Sequence, residues 1–280
     1  TMISTVYDMG GAMKRVHVRQ AMPAEVLEYT ISVDLPGQGG GKQMVTMTDT
    51  LPPRHQVRFL GWVDTPSGVL TEGHKLRWEG EVTPGQPVQL RYRLGIEGDV
   101  PAGAMISNSA ALKWQNHEMQ LGPVGTVITA PHGVMGVGPG QGGQVEHRYG
   151  MTLTVPAGAV DDSTRFEIEP LDTGDEQITP PAGWMYANRV FEMDAYRYGA
   201  SVGEFNEPMT ITVSFADDDV AGLKRETLRL WTREGPEGPW KRMDEPVSTM
   251  SGTLEHTTTH LSEFALFGEP DTSSWHRIYL

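Results

Sequence analysis

A histidine, an apolar residue and a serine stand together near the end of the chain, in the stretch TTTHLSEFALFG at 257–268. A serine hydroxyl is a weak nucleophile unless a base lies beside it and donors stabilise the oxyanion that forms. One hypothesis for this stretch is therefore self-cleaving chemistry. The alternative is a plain last strand, in which Leu261 and the apolar residues after it pack into a core while the polar side chains hydrogen-bond near a turn.

Acidic residues and histidines give weak metal-binding signals. The nine histidines are scattered, and His256 and His260 would diverge in a strand, whereas the same spacing on a helix would bring them together. The run Asp217, Asp218 and Asp219 carries oxygen donors of the kind that hold calcium, but it lacks the spaced Asp and Gly pattern of a dedicated loop. We therefore predict no metal and no cofactor. The three aspartates are weak calcium candidates, and a solvated acidic turn is the alternative.

The composition excludes several classes of partner and all cysteine chemistry. The chain has 22 basic and 36 acidic residues, a net charge of −14 and no cysteine. This charge repels phosphate backbones, so nucleic acid is not an expected partner, and disulfides and thiolates are excluded. No apolar run approaches the roughly 20 residues that span a bilayer, so we expect no membrane insertion in this segment. Because the chain opens with Thr, we expect a processed or trimmed product without its signal peptide and anchor.

Short segments in which apolar and polar residues alternate must position the candidate site residues. The 33 glycines and 20 prolines set a turn about every ten residues, which favours many short strands over helices. We predict an all-β protein with two tandem antiparallel β-sandwich domains of immunoglobulin-like type and β-prone terminal arms. The predicted parts are an N-terminal arm at 1–12, a first sandwich at 13–130, a Gly/Pro-rich linker at 131–143, a second sandwich at 144–268 and a C-terminal arm at 269–280.

The two arms carry short strands with no evident partner in the sequence. Unpaired strand edges are either covered or used for association, so the arms are predicted to complete a sheet in a neighbouring subunit. Frayed termini are the alternative.

Five motifs of the first half follow one another in a recognisable order: KRV from 14, EYTISV from 28, VTMTDTLP from 45, LRWEGEV from 76 and ISNSA from 106. In this order residues 13–122 resemble the bacterial surface repeat called domain of unknown function eleven. That repeat is related to immunoglobulin-like fimbrial domains, which form an internal amide bond between a Lys amine and an Asn side chain with the help of a buried acid.

The resemblance implies that Lys14, Asn108 and Asp49 take these roles. Such chemistry needs a desolvated, neutral amine and a protonated carboxyl that polarises the amide, and a buried acid beside a lysine supplies both. In the alternative interpretation Lys14 is solvated, Asp49 caps a turn and Asn108 bonds to backbone.

The second half carries VPAGAV from 155 and ends in the His-Leu-Ser stretch. Residues 142–268 resemble in these motifs the module shared by zonula-occludens and Unc-five proteins. The His-apolar-Ser pattern also marks the cleavage point of self-processing relatives and of the autoproteolysis-inducing domain of adhesion receptors. The resemblance implies His260 as base, Leu261 as acyl donor and Ser262 as nucleophile of a cleavage between Leu261 and Ser262.

The predicted function is that of a non-catalytic extracellular protein of a bacterial cell surface or appendage, such as a filament, pilus-like or surface-layer subunit. The expected partners are other copies of the chain, through strand exchange at its termini, or other surface proteins. One alternative is an adhesin or carbohydrate-binding module that recognises ligands at the loops 36–43 or 172–187. The other alternative is the self-cleaving module.

Overall fold

The fold is all-β, as the sequence predicts. The computed structural model describes residues 4–7, 11–37, 40–64, 66–171, 178–243 and 252–272, with the backbone alone at 4–7. Within these ranges the chain forms strands, turns and two short 3-10 helices, and no helix has the length and apolar character needed to cross a bilayer. Contacts along the chain separate two compact units, Thr1–Ala130 and Pro131–Leu280. The finer domain bounds stay a prediction.

The first unit consists of two sheets that enclose one apolar core. Its strands are β1 (Ser4–Tyr7), β2 (Met13–Val16), β3 (Gln20–Ala21), β4 (Val26–Val33), β5 (Gln43–Thr50), β6 (Val57–Trp62), β7 (Val69–Glu72), β8 (Lys75–Val82), β9 (Val88–Ile96), β10 (Met105–Trp114) and β11 (His117–Ile128). One sheet has the order β1-β2-β4-β9-β6 and the other the order β3-β11-β10-β5-β8-β7. Among the described strands of this unit, β3 and β11 are the one parallel pair.

The N-terminal strand pairs within its own chain. Strand β1 runs antiparallel to β2, with Ser4 opposite Val16 and Tyr7 opposite Met13. The expectation that this arm lacks a partner is therefore wrong. The physical reason is that the short connection between the two strands lets the chain turn back and cover the free edge of β2. Of the C-terminal arm, Pro270 forms a β-bridge with Leu223, and residues 273–280 lie outside the described residues.

The second unit also has two sheets around a shared core. Its strands are β12 (Val134–Val137), β13 (Gly143–His147), β14 (Met151–Val155), β15 (Thr164–Pro170), β16 (Met185–Arg197), β17 (Ala200–Ser201), β18 (Met209–Ser214), β19 (Arg229–Arg233), β20 (Lys241–Arg242), β21 (Thr253–Thr258) and β22 (Glu263–Gly268), and its 3-10 helices are Asp217–Val220 and Arg225–Thr227. The larger sheet has the order β12-β15-β16-β22-β19-β20 with β17 beside β16, and the smaller has the order β13-β14-β18-β21.

The segment predicted as a linker contains strand β12, which pairs antiparallel with β15. The prediction of a linker over 131–143 is therefore wrong for Val134–Val137. Of the glycines in this stretch, Gly136 lies within β12, whereas Gly133 and Gly140 lie in the turns on either side of it, with φ of 80° and 72°. Since glycine adopts this left-handed conformation without steric cost, its density here marks turns at the two ends of a strand.

Candidate functional site

The core of the first unit holds five polar or ionisable side chains in contact with one another. Lys14 on β2, Tyr29 on β4 and Tyr92 on β9 come from the five-stranded sheet, and Asp49 on β5 and Asn108 on β10 come from the six-stranded sheet. All five are buried. Each stands in period-two phase with the apolar residues of its strand, and this alternation turns it into the space between the sheets.

Strand register brings the five side chains to the same level of the sandwich. Tyr29 lies directly opposite Tyr92 across the β4–β9 pair. Asp49 lies opposite Ala110 across the β5–β10 pair, two residues from Asn108 and on the same inward face. The site therefore depends on three strand pairings: β2–β4 and β4–β9 in one sheet and β5–β10 in the facing sheet.

A continuous chain of hydrogen bonds joins the three residues predicted from the sequence. Lys14 Nζ donates to Asp49 Oδ2 at 2.6 Å. The hydroxyl of Tyr92 donates to the same oxygen at 2.5 Å and accepts from Asn108 Nδ2 at 2.8 Å. Lys14 and Asp49 are 0 % exposed and Asn108 is 2 % exposed, so the interpretation of a solvated Lys14, a turn-capping Asp49 and a backbone-bonded Asn108 is wrong.

Two stacked tyrosine rings line the lysine. The rings of Tyr29 and Tyr92 lie 5.3 Å apart with an interplanar angle of 9°. Lys14 Nζ is 5.3 Å from the centre of the Tyr29 ring and 5.9 Å from that of Tyr92. The rings attract the cationic form weakly and shield the amine from water.

Burial makes the lysine a better nucleophile. Desolvation lowers the pKa of Lys14 to about 8, against the opposing attraction of Asp49. Burial, followed by the charge of Asp49, raises the pKa values of both Tyr29 and Tyr92, so that both hydroxyls remain protonated. Lys14 is therefore closer to its neutral, nucleophilic form than a solvated lysine at the same pH.

Three polar atoms of the site have no hydrogen-bond partner in the structure: Tyr29 Oη, Asp49 Oδ1 and Asn108 Oδ1. A buried unsatisfied polar atom costs about 1–3 kcal/mol, so three at one place are unusual in a core. The Asn108 carbonyl and the free oxygen of Asp49 belong to the groups that a reaction between Lys14 and Asn108 would use. The arrangement suits intramolecular acyl transfer from the Asn108 side chain to the Lys14 amine.

Sequence reasoning missed the two tyrosines. Both stand on the apolar phase of alternating segments, Tyr29 in EYTISV and Tyr92 in VQLRYRLGI. The phase predicts that they face the core, but only the register of β4 against β9 shows that they meet each other and Lys14.

The His-Leu-Ser segment lies immediately before β22. The Ser262 hydroxyl is hydrogen-bonded to Thr232 Oγ1 at 2.6 Å. The backbone carbonyl of Ser262 accepts a hydrogen bond from the amide of Met193 at 3.0 Å. His260 Nδ1 lies 3.3 Å from Thr258 Oγ1, and Leu261 packs against the core of the second unit. These hydrogen bonds direct the imidazole and the serine hydroxyl to different threonines.

Backbone strain at this peptide bond would favour cleavage. Non-glycine residues with left-handed φ in the described ranges are Ala24, Gln115, Asn188 and Tyr198. Leu261 and Ser262 are not among them. Self-cleavage between these two residues stays a prediction that this geometry does not support.

The three consecutive aspartates lie in a 3-10 turn, and arginines form ion pairs with two of them. Arg189 holds both oxygens of Asp219, at 2.6 and 2.9 Å, and Arg225 bonds to Asp217. Asp218 is exposed. Among the residues that the structure describes, no group of three or more His, Cys, Asp or Glu is arranged to hold a metal ion. The calcium hypothesis gains no support from this geometry.

The loops proposed for ligand recognition are partly outside the described residues. Residues 38–39 of the loop 36–43 and residues 172–177 of the loop 172–187 fall there. Of the described part, Trp184 packs edge to face on Trp231 at 5.2 Å. Recognition of a ligand at these loops stays a prediction.

Comparisons with known proteins identify solved structures that resemble this chain but no family to which it belongs. No family model matches the sequence, and no curated protein matches it. Domains D2 and D3 of the major pilin SpaD from Corynebacterium diphtheriae are similar at 16% identity and a TM-score of 0.38, over 76% of this chain and 85% of that one.

Two further solved structures show a similar level of likeness. The major pilin subunit BcpA from Bacillus cereus is similar at 14% identity and a TM-score of 0.37 over 88% of this chain, which spans 65% of that pilin. The C-terminal fragment of the major pilin GBS80 from Streptococcus agalactiae is similar at 10% identity and a TM-score of 0.35, over 94% of this chain and 92% of that one. At these values the function has to be argued from the buried site itself.

Proposed function

We propose that this chain is a non-catalytic structural protein of a bacterial cell surface or appendage, and that an amide bond between Lys14 and Asn108 staples its first unit. The observation that carries the proposal is the buried chain of hydrogen bonds from Lys14 through Asp49 and Tyr92 to Asn108. Because these groups are shielded from solvent, a diffusible substrate has no access to the amine. The electrophile within reach is then a side chain of the protein itself, and the reaction serves structure.

The reaction balances without any co-reactant. The Lys14 ammonium gives one proton to Asp49, and the neutral Nζ attacks Cγ of Asn108. The new Nζ–Cγ bond forms, the Cγ–Nδ2 bond breaks, and Nδ2 leaves as ammonia. Of the three protons of the ammonium group, one remains on the amide, one leaves with the ammonia and one stays on Asp49. The charged pair is thereby replaced by a neutral amide beside a neutral acid, which costs less to bury.

The staple would join the two sheets of a protein that has no cysteine. Lys14 lies on β2 of one sheet and Asn108 on β10 of the other. A covalent tie between them resists separation of the sheets and, unlike a disulfide, is insensitive to reductant. This property supports an extracellular role, in which a subunit bears load and meets proteases.

The intact mass of the purified chain tests the amide bond. We expect a mass about 17 Da below the sequence value, since one ammonia is lost, and a branched Lys14–Asn108 peptide after digestion. Asn108→Ala and Lys14→Arg should each restore the full mass for their sequence. Lys113→Arg is the matched control, because Lys113 is an exposed lysine paired with Glu118, and this variant should keep the 17 Da loss. A wild-type chain of full mass after prolonged incubation contradicts the staple.

A further inference from the structure

We propose that the Tyr92 hydroxyl is a catalytic proton relay, which carries a proton from Asp49 to the leaving nitrogen Nδ2 of Asn108. This inference rests on the proposed amide bond and names a residue of its chemistry that the sequence did not reveal. The hydroxyl lies 2.5 Å from Asp49 Oδ2 and 2.8 Å from Asn108 Nδ2. It therefore bridges the acid and the leaving group directly.

The leaving group explains why a relay is needed. An amide nitrogen departs poorly as an anion and must be protonated as its bond to carbon breaks. Asp49 Oδ2 accepts a hydrogen bond from Lys14 Nζ at 2.6 Å and is therefore placed to take its proton. In the structure, Asp49 is connected to Nδ2 through the Tyr92 hydroxyl, so the proton can cross from the acid to the nitrogen by two short transfers.

The direction of the hydrogen bonds changes as the reaction proceeds. Before attack, Nδ2 is a planar amide nitrogen that donates to Tyr92, and Tyr92 donates to Asp49. After attack, Cγ is tetrahedral and Nδ2 is a basic amine with a free lone pair. Protonated Asp49 can then donate to the Tyr92 oxygen while the O–H of Tyr92 turns and donates to Nδ2. Asp49, left as a carboxylate, accepts a second proton from Nζ as the Cγ–Nδ2 bond breaks, so the products are a neutral amide, ammonia and a protonated Asp49. No charge develops on the tyrosine if the two transfers are concerted, which suits a hydroxyl whose pKa burial has raised.

Tyr29 provides a matched control inside the same site. It is buried like Tyr92, stacks on Tyr92 at 5.3 Å and lines the same amine. Its hydroxyl, however, has no hydrogen-bond partner in the structure. Tyr29→Phe and Tyr92→Phe therefore remove the same atom from two neighbouring rings, and only the second removal interrupts the path from Asp49 to Nδ2.

The test is the rate of amide formation in the full chain. The wild-type chain, Tyr92→Phe, Tyr29→Phe and Asp49→Asn are synthesised in a cell-free reaction, translation is stopped, and the 17 Da loss is followed by mass spectrometry. General acid catalysis contributes about 10²–10⁴-fold, so we expect Tyr92→Phe to react at least about tenfold more slowly than wild type. Tyr29→Phe should remain within about twofold of wild type, and Asp49→Asn should not react.

Two outcomes separate the relay from the amide bond. A wild-type chain that loses 17 Da while Tyr92→Phe reacts equally fast overturns the relay and leaves the staple in place. A wild-type chain that loses no mass overturns the staple. Thermal melting of Tyr92→Phe shows whether that variant folds.

A proton inventory on the wild-type chain needs no variant. The rate is measured in mixtures of H2O and D2O. A curved dependence on the deuterium fraction supports two protons in flight, and a linear dependence overturns the relay.

Discussion

At the scale of the residue, the lysine and the aspartate share one proton whose position decides reactivity. In the ion pair the amine is not a nucleophile, whereas after transfer the amine is neutral and the acid is protonated. Both states contain the same number of protons, so the reactive state is a tautomer of the pair and persists as long as the pair keeps that proton.

This sharing predicts the pH dependence of amide formation. The pKa of Lys14 is lowered to about 8. Below that pH the pair keeps its proton and the rate should be constant, and above it the proton is lost and the rate should fall about tenfold per pH unit. Tyr29 and Tyr92, which face the amine, stay protonated because their pKa values are raised. Time courses of the 17 Da loss at pH 6 to 10 check this prediction.

A rate that rises through pH 8 would contradict it. That result would mean that the neutral amine alone is required and that the acid takes part without its proton.

At the scale of the element, the staple would close a long loop through two sheets. Residues 14–108 run from β2 through β9 to the first four residues of β10, so the covalent ring contains about 95 residues. The chain-entropy treatment of cross-links gives about 4–5 kcal/mol for a ring of this size. Most strands of the first unit lie inside the ring, so the gain applies to the whole sandwich.

We expect Asn108→Ala to lower the free energy of unfolding of the first unit by about 4–5 kcal/mol through loss of the cross-link. This corresponds to a drop of at least about 10 °C in its melting temperature. Denaturant titration and calorimetry of the full chain measure both quantities.

The non-covalent part of that loss needs its own control. In the background Lys14→Met with Asp49→Leu no amine is present, and two apolar residues replace the buried ion pair. In that background, the change in the free energy of unfolding caused by Asn108→Ala reports only the lost hydrogen bond to Tyr92 and the cavity left by the side chain. An equal cost in the two backgrounds would show that the cross-link does not stabilise the fold.

At the scale of the whole molecule, the proposed surface role requires association, and the edges of the sheets are where strands can be exchanged. Strand β1 lies at the edge of the five-stranded sheet with β2 as its neighbour. The same antiparallel pairing can form between two copies if β1 of one chain replaces β1 of the other.

Deletion of residues 1–9 tests assembly through this strand. We expect the wild-type chain to form oligomers that light scattering detects at high concentration and that the deletion abolishes, because β1 is then missing. Leu70→Lys is the control, since Leu70 is 54% exposed on the edge strand β7 of the other sheet. Oligomers that survive the deletion but disappear with Leu70→Lys would assign assembly to the other edge.

Much of this architecture was predictable from local sequence. Alternation with Gly and Pro punctuation predicts the all-β class, and the resemblance of residues 13–122 to the bacterial surface repeat implies that Lys14, Asp49 and Asn108 act together. The predictions that went wrong concern pairing. Part of the glycine-rich stretch forms strand β12, because it pairs with β15. The N-terminal arm forms strand β1, which pairs with β2.

The sequence by itself determined which side chains face inward, because a strand exposes alternate residues to opposite sides whatever it pairs with. Tertiary structure decided which inward-facing groups meet. The contact of Tyr92 with both Asp49 and Asn108 spans 43 and 16 residues of sequence and depends on the register of β5 against β10 and on the packing of β9 against that pair. Register is set by long-range pairing and by the packing of one sheet on the other, which no local pattern encodes.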